Sequence, residues 1–148
     1  MNMGEFPVSF LKQAAVELAD NEKASVWEPS RAGSLHIGEA AIRLEGKWRV
    51  SAIGNFLGGG LLGELLIKPF FLKDRSETIP FENVERLAIQ TKKNWRGQPK
   101  TTFHIFQARE QGMIEVHVFS ADKKTAPDLM DAMKSSVPSH LVREEILG

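Results

Sequence analysis

A chain of 148 residues without cysteine is the size of one domain and must be held by core packing rather than by disulfides. The same absence removes thiolate nucleophiles and cysteine zinc sites. Nineteen basic and nineteen acidic residues cancel, so no bulk charge draws the protein toward nucleic acid or membrane. The charge is nonetheless uneven. Arg86, Lys92, Lys93, Arg96, Lys100 and Arg109 fall in one segment that contains no acid, which gives the molecule a basic pole.

The opening MNMGEFPVSF has no basic stretch ahead of an apolar run. No secretory leader is expected, and a cytoplasmic protein is, with peripheral contact at the inner face of the membrane as an option. Pro7 to Asn21 reads as a helix, because Phe10, Leu11, Ala14 and Leu18 recur at spacings of three and four. The period then changes to two. Lys23 to Trp27, Ser34 to Ile37 and Ala40 to Leu44 are short strand candidates punctuated by Pro29, Gly33 and Gly38. Gly46 marks a turn into a strand over Lys47 to Ile53.

VSAIGNFLGGGLLGELLI follows, residues 50 to 67. It is too diluted by Gly54, Gly58, Gly59, Gly60 and Gly63, and by Asn55 and Glu64, for a membrane span of about 20 apolar residues. No Gly-Lys-Ser/Thr ends it and no parallel βαβ unit follows, which argues against a phosphate loop. An apolar loop remains, with Phe56, Leu57, Leu61 and Leu62 free to tuck onto the domain, meet a second subunit or enter a membrane. A contact of the second kind makes a homo-oligomer the expected assembly. Glu64 to Leu72 resumes as an apolar strand with Pro69 at an edge or bulge.

Val84 to Lys92 and Lys100 to Ala108 read as strands joined by the loop NWRGQP. Met113 to Phe119 completes a second hairpin, in which Phe103, Ile105, Ile114, Val116 and Val118 are expected on one core face. KTAPDLMDAMKSSVP is a helix. Thr125 can cap it with Asp128 as capping-box partner, Pro127 suits the first turn, and Ala126, Leu129, Met130, Met133 and Val137 form its apolar stripe. Pro138 stops it.

GSLHIGEAAIRL resembles the opening Gly-x-Leu-x-Ile strand pair of bacterial pleckstrin-homology-like domains, including the GRAM group. IPFENVERLAI resembles their Ile-Pro-Tyr-x-x-Ile strand entry through Ile79, Pro80, Phe81 and Val84. FHIFQAREQGMIEVHVFSADKKTAPDLMDAM resembles the terminal hairpin that runs into the capping helix. The resemblance covers Glu22 to Val137. It implies an α+β fold, a bent antiparallel sheet or partly open barrel capped by a C-terminal helix. It also implies a non-catalytic binding or assembly module, often at membranes, that needs no cofactor. The spaced cations of phosphoinositide-binding members are missing from the first hairpin, where Arg31 stands alone. The resulting division is an N-terminal helical extension over 1–22, the pleckstrin-homology-like domain over 23–138 and a tail over 139–148.

Two constellations bear on function. TKKNWRGQPK gathers Lys92, Lys93, Trp95, Arg96 and Lys100 on a hairpin tip. Such a set suits an anionic membrane surface or a partner protein, with single-stranded nucleic acid the weaker fit; the bland alternative is a solvated turn with Trp95 folded back on the sheet. Second, if Arg109 pairs with Gly112, equal-sum register sets His104 opposite His117 and Phe106 opposite Glu115. Two outward histidines and a carboxylate can hold zinc, although a solvated pair is the simpler account. This face is the basis of the rival reading, a small metal-binding protein or enzyme. No Gly-x-Ser-x-Gly, HExxH or dinucleotide fingerprint supports catalysis.

Overall fold

The computed structural model describes residues 4–11, 14–25, 27–28, 32–49 and 72–147. Phe56, Leu57, Leu61 and Leu62, and the strands expected over 64–72 and beyond Arg49, therefore lie outside the described residues or at their margin. The elements are β1 (Gly4–Phe10), β2 (Glu22–Ala24), β3 (Ala32–Ile37), β4 (Ala41–Arg49), β5 (Leu72–Pro80), β6 (Val84–Lys93), β7 (Pro99–Ala108), β8 (Ile114–Ser120), α1 (Ala126–Ser136) and β9 (Val142–Leu147). They form an α+β fold: one bent, open nine-stranded sheet with a single C-terminal helix. The strand order is β5-β4-β3-β1-β8-β7-β6-β9, with β2 also paired to β8.

β1 meets β8 in a joint of only two residue pairs, Ser9 with Ser120 and Phe10 with Phe119. Below that joint β2 takes over the same edge of β8, in parallel, from Glu22 opposite Ile114 to Ala24 opposite Val116. The main core fills the bend. It includes Phe10, Trp27, Leu35, Ile42, Leu44, Leu87, Ile89, Phe103, Ile105 and Phe119, closed by Leu129, Ala132 and Met133 of α1 and by Val137 just after it. A smaller cluster lies on the opposite face of β6–β8. There Ala88, Phe106, Val116 and Val118 are covered by Leu11, Ala14, Val16 and Leu18.

The N-terminal helix expected over Pro7 to Asn21 is not formed. Residues 4–10 are a strand, and the described residues from 14 to 21 are irregular. Phe6, Val8 and Phe10 alternate inward in β1 while Glu5, Pro7 and Ser9 face out. The chain then changes faces, so Leu11, Ala14 and Leu18 serve the second cluster. Two extended segments facing different ways had imitated a helical period.

Gly46 does not turn the chain either. It lies inside β4, which pairs with β5 without interruption from Ala41–Pro80 to Arg49–Leu72. A Cβ at Gly46 would come within 2.7 Å of the Phe10 ring and 3.2 Å of Trp27. These rings stack with centroids 4.2 Å apart and planes 7° from parallel. The glycine is there for their close approach.

The terminal hairpin is shifted by one residue from expectation. His104 lies opposite Val118, and Ile105 opposite His117. The Arg109 N–H donates to the Met113 carbonyl at 2.8 Å. The connection is therefore three residues, Glu110–Gly112, with Gln111 at φ 60° and Gly112 at φ 75°. A one-residue slip exchanges faces, so Phe103, Ile105 and Phe119 join the main core while Val116 and Val118 join the second cluster.

The C-terminal helix is present, but its cap differs from expectation. Thr125 makes no side-chain capping bond. Asp122 Oδ1 accepts the N–H groups of Lys124 at 3.0 Å and Thr125 at 2.7 Å, which holds its carboxyl below the usual range. The expected tail over 139–148 contains β9. That strand runs parallel to β6, from Val142 opposite Leu87 to Leu147 opposite Lys92.

Candidate functional site

The β6–β7 hairpin ends in a tip whose geometry is fixed by one side chain. Asn94 Oδ1 accepts the backbone N–H of Arg96 at 2.9 Å and of Gln98 at 3.0 Å. The Asn94 N–H donates to Gln98 O at 2.9 Å, and Gly97 turns the chain at φ 77°. Asparagine favours such local side-chain turns, and glycine accepts positive φ without a Cβ clash. Residues 92 to 100 are all exposed.

Trp95 is 87% exposed, so it has not folded back onto the sheet. The Arg96 guanidinium lies 4.6 Å from its ring centroid, a cation–π contact that keeps the two side chains together. Lys92 stands opposite Lys100 across the ladder, and Lys93 opposite Pro99. The fold thus gathers Lys92, Lys93, Trp95, Arg96 and Lys100 at one end of the sheet. Like charges directly opposed across strands destabilise a hairpin. An anionic partner would relieve that repulsion.

The histidine set is not assembled. His104 and His117 are both fully buried and point to opposite faces of the sheet. The Ala15 N–H donates to His104 Nε2 at 3.1 Å, so Nδ1–H is left to donate to the Ala88 carbonyl at 3.2 Å. Burial lowers the His104 pKa. Trp27 Nε1–H donates to His117 Nδ1 at 2.9 Å, which leaves His117 Nε2–H to donate to Gln107 Oε1 at 2.7 Å. Both ring nitrogens of each histidine are thereby engaged. Among the described residues no group of three or more histidines and carboxylates could hold a metal ion.

His117 belongs instead to a polar network that crosses the inside of the bend. Gln107 Nε2 donates to Glu77 at 3.1 Å. Arg109 bridges Glu77, at 2.8 Å, and Glu115. Arg75 donates to Glu115 at 3.0 Å, to Glu77 at 3.3 Å and to Ser25 at 2.8 Å, and its guanidinium sits 4.7 Å from the Trp27 ring. Ser25 Oγ–H also donates to Glu115, at 2.5 Å.

Burial alone would raise the Glu115 pKa. It is outweighed by the charge of protonated His117, by the Ser25 bond and by Arg75 and Arg109, so the group is held at about 2. Glu77 is lowered in the same way, burial being overcome by Gln107, Arg109 and Arg75. For His117, burial dominates over the attraction of Glu115 and pushes it down to about 4. At neutral pH the cluster therefore holds two carboxylates, two guanidiniums and a neutral imidazole. Its parts come from β5, β7, Arg109 just after β7, β8 and the segment after β2, and they tie the edge strand β5 to the β7–β8 hairpin.

Arg75 and Glu77 had no signal in the sequence as site residues. LKDRSETIP reads as polar, because two of its inward positions carry charge. A cavity of about 600 Å³ over β3–β5 is bordered by Ser34, Glu45, Lys47, Asp74, Arg75 and Ser76. Its charges are paired locally: Lys47 with Asp74, and Glu45 with His36 and Arg43.

Among the described residues no helix is long and apolar enough to cross a membrane. No protein-family model matches the chain, and no match was found among curated proteins or solved structures.

Proposed function

We propose that this chain is a non-catalytic binding module of pleckstrin-homology-like architecture, and that the β6–β7 tip is its contact surface for an anionic partner. The strand order supports the architectural part. β1, β3, β4 and β5 form one antiparallel run, β6, β7 and β8 form another, and a helix follows that closes the bend between them. The observation that carries the functional part is Trp95, 87% exposed on a tip braced by Asn94 and surrounded by cations. An aromatic held in water by a fixed turn contributes nothing to a core, whereas Trp and Arg are the residues that anchor interfaces.

Immobilised heparin, a stand-in for any polyanion, tests this reading. The wild type should be retained at low salt and elute earlier as salt rises, because exposed charge contacts are screened within about 10 Å at 0.1 M. Lys92→Glu with Lys93→Glu should abolish retention without lowering the urea midpoint, since the change also removes the Lys92–Lys100 repulsion. Retention that ignores both salt and these changes would refute the site.

A further inference from the structure

The two most exposed large apolar side chains among the described residues are Trp95 at 87% and Ile146 at 75%. They are 51 positions apart in sequence, and only the parallel pairing of β9 with β6 brings Ile146 to the tip. Ile146 pairs with Thr91, one position before Lys92. In this register Val142, Glu144 and Ile146 share the face of Leu87, Ile89 and Thr91. That is the α1 face, as the 2.6 Å ion pair between Lys134 of α1 and Glu144 requires. Ile146 lies past the helix, toward the tip, where no described residue buries it.

Resting on the binding-module reading, we infer that the partner is the interface of an anionic lipid bilayer. Trp95 and Ile146 are its two apolar insertion points on either side of the lysines. Three observations favour a bilayer over a protein. The surface is an exposed end of the sheet, whereas the cavity described above lies elsewhere, over β3–β5. Lys92, Lys93, Arg96 and Lys100 form no ion pair among the described residues, so their charge is free for headgroups. The nearby acids do not oppose contact at the tip. Glu144 is neutralised by Lys134, and Glu145 pairs opposite Gln90, farther from the tip than Ile146. Long-range attraction comes from the cations, each worth about 1 kcal/mol near an anionic leaflet. Retention comes from the apolar pair, with tryptophan suited to the headgroup level.

The test is co-sedimentation with vesicles of phosphatidylcholine alone and with 30% phosphatidylglycerol added, across a salt series. Binding is expected only with the anionic lipid. Ile146→Ser should weaken it about fivefold to tenfold, the effect of losing one partly buried aliphatic side chain. Its salt dependence should be that of the wild type, whereas Lys92→Glu should flatten it.

Because the chain has no cysteine, Ile146→Cys carrying an environment-sensitive dye reports insertion directly. Its emission should shift to the blue on anionic vesicles, while the same dye at Asp128→Cys, exposed on α1, should not respond. Ile146→Ser binding as tightly as wild type, an unshifted dye at position 146, or equal binding to neutral vesicles would each overturn the inference. Salt-dependent heparin retention without vesicle binding would overturn it too, in favour of an acidic macromolecule, and leave the binding-module reading standing. Loss of both would overturn both.

Discussion

Acidification from pH 7.5 to 5 should cost the fold about 2 kcal/mol through His117 alone. The imidazole titrates near 6.5 in the unfolded chain and at about 4 when buried against Trp27 and Gln107. The folded pKa is the lower one, so the unfolded state takes up the proton first. The contribution is complete above pH 6.5 and drains as pH falls toward 4. At pH 5 the unfolded chain has bound the proton across about 1.5 pH units, at about 1.4 kcal/mol per unit, which gives about 2 kcal/mol. Against a total stability of about 5–15 kcal/mol this is a measurable share.

Glu115 does not interfere in that window. Its folded pKa of about 2 lies below the ordinary 4.5, so its contribution is intact at pH 5 and is lost only as pH falls from 4.5 toward 2. The assay is urea unfolding of the wild type and His117→Gln at the two pH values. The wild type should lose about 2 kcal/mol more than the variant, with the urea slope unchanged. His104, also lowered, titrates in both proteins and cancels in the comparison. NMR titration of the His117 ring gives a direct check independent of the variant's stability. Equal losses in the two proteins, or a ring that protonates near 6.5, would refute the buried neutral imidazole.

Gly33→Ala should destabilise by about 1–3 kcal/mol, the usual range for forced overpacking, because a Cβ there overlaps the Phe10 ring and comes within 2.7 Å of the Glu45 carbonyl; an unchanged melting temperature would refute the close approach of Phe10 to Gly33. Asp122→Ala should lower the denaturation midpoint, because it removes the acceptor of the Thr125 and Lys124 N–H groups, whereas Thr125→Ala should change it little; chemical denaturation of both separates the two caps. The apolar run containing Phe56, Leu57, Leu61 and Leu62 should drive self-association, visible by light scattering at micromolar concentration; a monomer unaffected by Leu61→Asp would remove that expectation.

The sequence by itself determined those parts that depend on local pattern. The β6, β7 and β8 strands, the C-terminal helix with Leu129, Met133 and Val137 inward, and the exposed basic tip all follow from alternation, helical spacing and turn residues within one short segment. The information that decided the rest is not local. Whether Arg109 meets Gly112 or Met113 depends on one residue of turn geometry, yet it sends His104 and His117 to opposite faces and removes the zinc reading. A glycine inside a strand looks like a turn until Phe10 and Trp27, from other segments, are laid against it. β5 was unreadable because Arg75 and Glu77 occupy inward positions, and charge is stable there only once Gln107, Arg109 and Glu115 arrive from β7 and β8 to pair with it. β9 resembles a charged tail because four of its residues, Arg143 to Ile146, are exposed on the sheet edge. Only its pairing with β6 makes it a strand and brings Ile146 beside the lysines.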